Sequence, residues 1–306
     1  MGSTVPHMGS GHRPEDGVGP QPLVPVWQPK WTLRRGASLL RDIWEIRSDP
    51  TYRRLARSYE LPDGSRRVYC HHIRKTAGTS LAQSFMALGG EDPMEVWRRT
   101  AASRLPRAIS GDYAFVVNHR RLLAEGAYFY GRSHHPTADQ PLPPRTFTVT
   151  ILRDPVARVH SYYDFLVAGD EPHLPVRVPE QERRKAKGGL DAFLDRVPTA
   201  YLLNQLSTFS GTFDVAEATD RIAGCSCVLF TEDFADGLAA LGRRLELPLV
   251  TRRARVTGTR SSLTDAQRER IRSRVEPEYE LLRRLADGGI AATGSTRTGT
   301  GRYPPE

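Results

Sequence analysis

The chain has 306 residues and 39% hydrophobic content, enough for one large α/β domain or two small ones with a real core. Its formal net charge of +9 and pI near 9.7 suit an acidic ligand, but no basic stripe with interleaved aromatics marks a nucleic-acid binder. No run of about 18 apolar residues is present, so no transmembrane helix is expected, and no signal peptide is visible.

The N-terminal stretch Met1-Gly2-Ser3 through Met8-Gly9-Ser10 reads as a cloning remnant, and Gly and Pro dominate to about Pro25. The expected division is a disordered segment over 1–26, one domain over 27–286 and a disordered Gly/Thr-rich tail over 287–306. Trp27 to Trp31 is expected to pack onto the domain. Leu39 to Ile46 reads as a short helix ended by Asp49-Pro50, and Leu61-Pro62-Asp63-Gly64 reads as a turn.

Val68 to Ile73 is rich in β-branched and aromatic residues and reads as a strand. A Gly-containing turn, Arg74-Lys75-Thr76-Ala77-Gly78, follows. Leu81, Phe85 and Leu88 then fall at i, i+4 and i+7, the pattern of a helix face. Thr79 or Ser80 is placed to cap that helix, and Gly89-Gly90 to stop it. A strand, a short loop and a helix N-terminus together favour an anion, because free N–H groups and the helix dipole point there. Lys75 adds a point charge in a chain with only four lysines against 40 arginines, and Thr76, Thr79 and Ser80 add hydroxyls.

Asp92 to Trp97 reads as a short helix, Asp112 to Val117 as a strand and Ala127 to Gly131 as the next strand. The last of these ends in Arg132-Ser133-His134-His135-Pro136. Ligands of open α/β sheets sit outside the carboxyl ends of strands, and an imidazole there is placed to accept a proton near neutral pH. His134 is the candidate base, with His135 in reserve and His119 third. His71 and His72 fall within the first strand and read as structural. After the Pro141–Pro144 linker, Thr146 to Leu152 is a near-continuous apolar and β-branched run, suited to a strand buried on both faces. Asp154 then caps a helix with Pro155 at its first position. Arg153 sits at the strand end, and Ser161 lies about two helical turns on.

The segment 170–189 is charge-rich and reads as a surface insertion near an acceptor cleft. Leu190 to Arg196 and Thr199 to Phe209 read as helices. Cys225 to Phe230 reads as a strand, followed by a helix to Leu245 that Glu232 and Asp233 would cap. Arg252 to Arg260 is a basic loop. Ser262 or Thr264 would cap a last helix running to about Leu285 and bent at Pro277. The three cysteines, Cys70, Cys225 and Cys227, form neither a disulfide framework nor a metal-ligand pattern, so reduced thiols in a cytoplasmic protein are expected.

His72-Ile73-Arg74-Lys75-Thr76-Ala77-Gly78-Thr79-Ser80-Leu81 resembles the 5′-phosphosulfate loop of sulfotransferases that use 3′-phosphoadenosine-5′-phosphosulfate (PAPS). That loop usually has Pro where this chain has Arg74. Arg153 through Ser161 resembles the family's 3′-phosphate motif, and Ser133-His134-His135-Pro136 resembles its Ser-His-x-Pro segment, which carries the base. The likeness covers roughly residues 66–285 and is nearer the bacterial and carbohydrate-type members than the phenol type. It implies one α/β domain of P-loop-kinase-like sulfotransferase fold, a parallel sheet flanked by helices. It also implies PAPS as co-substrate and PAP as product, with no metal. Residues 74–80, Arg153, Ser161 and the late-loop Arg260 would hold the nucleotide, and Lys75 and His134 would serve the chemistry. The acceptor would be a small natural product or a sugar hydroxyl.

Two other readings stand beside this one. One is an ATP-dependent kinase on a related fold, although Lys75 precedes Gly78 whereas a Walker loop places Lys after Gly. The other is a non-catalytic nucleotide-binding module.

Overall fold

A computed structural model describes residues 50–169, 178–252 and 261–290. The expected helix at 39–46, Trp27 to Trp31, the candidate Arg260 and the 170–177 part of the insertion lie outside those residues.

Helix α1 (Pro50–Ser58) leads to strand β1 (Arg67–His71), then α2 (Gly78–Met86) and α3 (Pro93–Ala102). Next come β2 (Arg107–Ser110), β3 (Tyr113–Val117), α4 (Arg120–Glu125), β4 (Tyr130–Ser133), β5 (Thr146–Leu152) and α5 (Pro155–Ala168). The later helices begin with the short α6 (Glu180–Arg183), α7 (Gly189–Arg196), α8 (Thr199–Leu202), α9 (Asn204–Phe209) and α10 (Val215–Ala223). The described chain closes with β6 (Cys227–Phe230), α11 (Phe234–Leu245), α12 (Asp265–Arg274) and α13 (Glu276–Asp287).

The strands form one sheet in the order β2-β3-β4-β1-β5-β6. Every neighbouring pair is parallel except β2 with β3. The expected α/β architecture with a parallel sheet therefore holds, with one antiparallel edge. Period-2 side-chain alternation assigns the two faces. Val68 and Cys70 of β1, and Phe147, Val149 and Ile151 of β5, enter a core shared with Leu81 and Phe85 of α2 and Leu238 of α11. On the opposite face Tyr69 packs with Leu122, Leu123 and Tyr128. A further core gathers Tyr162, Phe193, Leu206, Ile222 and Leu281. Among the described residues no helix is long and apolar enough to cross a membrane.

Strand order reverses about β1, with β4 on one side and β5 on the other. His71 registers with Ser133 of β4 and with Thr150 of β5. The residues that leave these three strands therefore emerge at one edge of the sheet, where open α/β folds bind ligands. Among them are His72 to Lys75, His134 and Arg153.

Several expected elements differ in detail. The strand expected at 127–131 is observed at Tyr130–Ser133, because β4 takes its register from β1 through the Val68–Tyr130 pair. The run expected as one helix over 199–209 is two, broken at Leu203. The last helix is likewise two, α12 and α13, parted at Val275 beside Pro277. Thr264 rather than Ser262 caps α12, in a capping box with Gln267.

Candidate functional site

Between β1 and α2 the chain makes a tight loop. The Thr76 hydroxyl donates to the Ile73 carbonyl at 3.0 Å. Lys75 and Ala77 both adopt left-handed conformations, φ 68° and 66°. Non-glycine residues there cost roughly 1–2 kcal/mol each. A hand that alternates along a loop turns successive N–H groups to one side, a concavity suited to an anion. Ala77 occupies the N-cap of α2 with no side-chain cap bond, so the expected capping role of Thr79 or Ser80 is not realised. Both residues line a cleft instead, along with Lys75, Ala77 and Gly78. Thr76 is not among the lining residues; its hydroxyl is engaged in closing the loop.

The second strand–helix corner follows β5. Asp154 accepts the Ala157 N–H at 2.7 Å as N-cap of α5, and Pro155 takes the first helical position. Arg153 and Ser161 line the same cleft as Lys75. The Arg153 guanidinium bonds directly to the other corner, Nη1 donating to the Lys75 carbonyl at 3.0 Å. The Lys75 ammonium lies 4.5 Å from the Phe165 ring, a cation–π distance, and Phe165 is one turn beyond Ser161.

His134 also lines this cleft. Its Nδ1 donates to the His72 carbonyl at 2.6 Å, since a carbonyl only accepts. That fixes Nε2 as the acceptor atom of a neutral ring. Its backbone N–H donates to Asn118 Oδ1 at 3.2 Å, and its ring stacks on His72 with centroids 4.2 Å apart. Burial, with the Arg74 and Arg132 charges adding to it, pushes the His134 imidazole down to about 3. His72 lies just past β1 and lines the cleft, so it is more than the strand residue expected. Arg132 Nη1 donates to its Nδ1 at 2.7 Å, and the Arg132 guanidinium lies 4.3 Å from the Trp97 ring.

The other histidines fall elsewhere. His135 does not line the cleft; its backbone N–H donates to Ser133 Oγ at 3.2 Å. His119 caps α4, its Nδ1 accepting the Leu122 N–H at 3.2 Å, which removes it as a candidate base. His71 is buried between Tyr69 and Phe209, and burial lowers its imidazole to about 4. Glu232, expected as a cap for its own helix, instead accepts the Asp154 N–H at 2.9 Å. Asp233 holds the N-cap position of α11 without a side-chain cap bond. Burial raises the thiols of Cys70 and Cys225 to about 12 and of Cys227 to about 11, and all three are free cysteines.

The cleft holds about 280 Å3, at the lower edge of ligand-site volumes, roughly 300–1,000 Å3. Among the described residues, four of its lining side chains are cationic, Arg74, Lys75, Arg132 and Arg153, and none is a carboxylate. Arg74 is offset in part by Glu182 at 3.9 Å, behind the cleft wall. So Glu182, in the segment expected to be a surface insertion, is turned inward; its side chain is 17% exposed and accepts from the Tyr162 hydroxyl at 3.2 Å. Sequence reasoning missed Trp97, Asn118, Arg132, Tyr162, Phe165 and Thr231 as cleft residues. Only Arg132 carried a signal, its place at a strand end directly before the Ser-His-His run.

No family model matches the sequence, and no curated protein matches it. Among solved structures, the fold is similar to mouse sulfotransferase SULT7A1 complexed with PAP, at a TM-score of 0.33 and 13% identity. The likeness covers 75% of this chain and 70% of that one. At that distance it assigns nothing to individual residues here.

Proposed function

We propose that this chain transfers a sulfuryl group from PAPS to a hydroxyl of a small-molecule or carbohydrate acceptor. What carries the reading is one cleft, with no carboxylate among the described residues that line it, in which Lys75, the first turn of α2, Arg153, Ser161 and His134 meet. Such a lining suits a ligand with several anionic groups and repels none of them. The backbone amides of 76–80, with the Thr79 and Ser80 hydroxyls, would hold the 5′-phosphosulfate end. Arg153 and Ser161 would hold the 3′-phosphate.

PAPS would supply a sulfuryl group already joined to a good leaving phosphate. His134 takes the acceptor's hydroxyl proton at Nε2 while Nδ1–H stays on the His72 carbonyl. The acceptor O–S bond forms as the S–O bond to the nucleotide phosphate breaks. Lys75 offsets the charge that builds on that phosphate oxygen. Burial is the main cause that keeps His134 neutral; the Arg74 and Arg132 charges add to it, and a bound anion would screen that smaller part, raising the basicity of Nε2.

The test is incubation with PAPS and a panel of alcohols and sugars, with mass spectrometry reading the added sulfuryl group and calorimetry reading PAP binding. No PAP binding and no transfer to any acceptor refutes the proposal, while binding without transfer supports a non-catalytic module. Phosphoryl transfer from ATP in a parallel incubation, lost on adding a chelator, favours the kinase reading.

A further inference from the structure

The side chains that hold the backbones of Arg74 and Arg153 come from one dipeptide. Asn204 Oδ1 accepts the Arg74 N–H at 3.0 Å. Gln205 Oε1 accepts the Arg153 N–H at 2.8 Å, and its Nε2 donates to the Arg153 carbonyl at 3.0 Å. Gln205 thus satisfies both main-chain groups of that residue, as a neighbouring strand would. It is fully buried. Its backbone N–H and its Nε2 both donate to Glu278, at 2.7 and 3.0 Å. Glu278 is itself fully buried and paired with Arg158 of α5 at 3.2 Å. The break at Leu203 (φ −100°, ψ 46°) frees the N–H groups of Gln205 and Leu206 from α8, and both turn to the Glu278 carboxylate. Neither Asn204 nor Gln205 lines the cleft.

Two adjacent side chains therefore reach two corners built from different strands, one after β1 and one after β5. We infer that Asn204 and Gln205 are positioning residues, a clip that fixes the spacing between the two ends of the anion site. The inference rests on the nucleotide reading given above. Amides suit the task because each offers a donor and an acceptor without bringing a negative charge beside an anion site. The spacing matters because a rigid ligand with two phosphates binds its second phosphate as an intramolecular event. That gain is lost when the two cradles stand at the wrong separation.

The experiment titrates the full chain with PAP and, separately, with adenosine 5′-phosphate, which engages only one cradle. Asn204→Ala and Gln205→Met are compared with wild type, with a thermal melt on each. Asn204 is only half-buried, so its variant carries the test if Gln205→Met does not fold. The preference for PAP over the monophosphate should fall about tenfold, with monophosphate affinity changed by less than about threefold. An unchanged preference, or equal weakening of both ligands as general loosening would give, overturns the clip. A wild-type chain that binds neither nucleotide removes the sulfotransferase reading and the clip with it.

Discussion

Gly78→Ala is a substitution for which helix propensity and local packing predict opposite signs. Gly78 is the first residue of α2 and its φ is not positive, so its backbone does not require glycine. Helix propensity alone predicts that Ala stabilises by up to roughly 1 kcal/mol. A Cβ there, however, would stand 2.9 Å from His72 Cγ and closer still to Cδ2 and Nε2. The His72 ring has little room to yield: it is 7% exposed, bonded to Arg132 and stacked on His134. Overpacking of this kind costs about 1–3 kcal/mol. Swinging the ring away would lose a charged hydrogen bond worth about 1.5–3 kcal/mol. Either response, set against the propensity gain, leaves a net loss of about 1–3 kcal/mol, which for a domain of this size lowers Tm by roughly 2–12 °C. Calorimetric melting reads the loss, and the same change in a His72→Ala background should be nearly silent, a coupling that a double-mutant cycle measures. A Gly78→Ala protein melting at or above wild type refutes the packing account.

The remaining predictions concern the cleft and the buried histidines. His134→Gln should lower turnover by roughly 10²–10⁴-fold and leave the PAP dissociation constant within about threefold of wild type; full activity would exclude it as the base. Arg153→Ala should weaken PAP binding by about 10- to 100-fold, the worth of a charged hydrogen bond, and unchanged affinity by calorimetry removes its 3′-phosphate role. His71 and His134 are held to about 4 and 3 in the folded protein, below an unfolded value near 6.5. The unfolded chain thus binds protons first, so stability is full above about pH 6.5 and falls as pH drops toward 4. Urea unfolding across that range should show the slope, and His71→Leu should flatten it; a pH-independent midpoint would contradict the burial of these rings.

The two strand–helix corners that line the cleft were legible because local rules decide them. Asp154 and Pro155 start α5 through cap and ring chemistry that needs no distant partner. The apolar period of Leu81 and Phe85 placed α2, and the near-continuous β-branched and apolar run Thr146 to Leu152 placed β5 with its bounds. What could not be read depends on residues far apart in the chain. The break at Leu203 serves a carboxylate more than 70 residues away, Glu278. Glu232 looks like a helix cap in sequence but bonds a corner 78 residues earlier. The β2–β3 hairpin was missed because Arg107–Ser110 is four residues long and directly follows Pro106. His72 read as structural because a strand pattern does not reveal where the strand stops.

The buried pairing of Arg158 with Glu278 spans 120 residues of sequence. During synthesis, every side chain proposed to touch the donor nucleotide, apart from Arg260, has been added by residue 161, yet the carboxylate that secures their framework, Glu278, is made more than 100 residues later. A ribosome-bound chain that has reached α11 therefore holds the chemical groups without the frame that aims them. Capture of the proposed nucleotide should wait until α13 has emerged and docked.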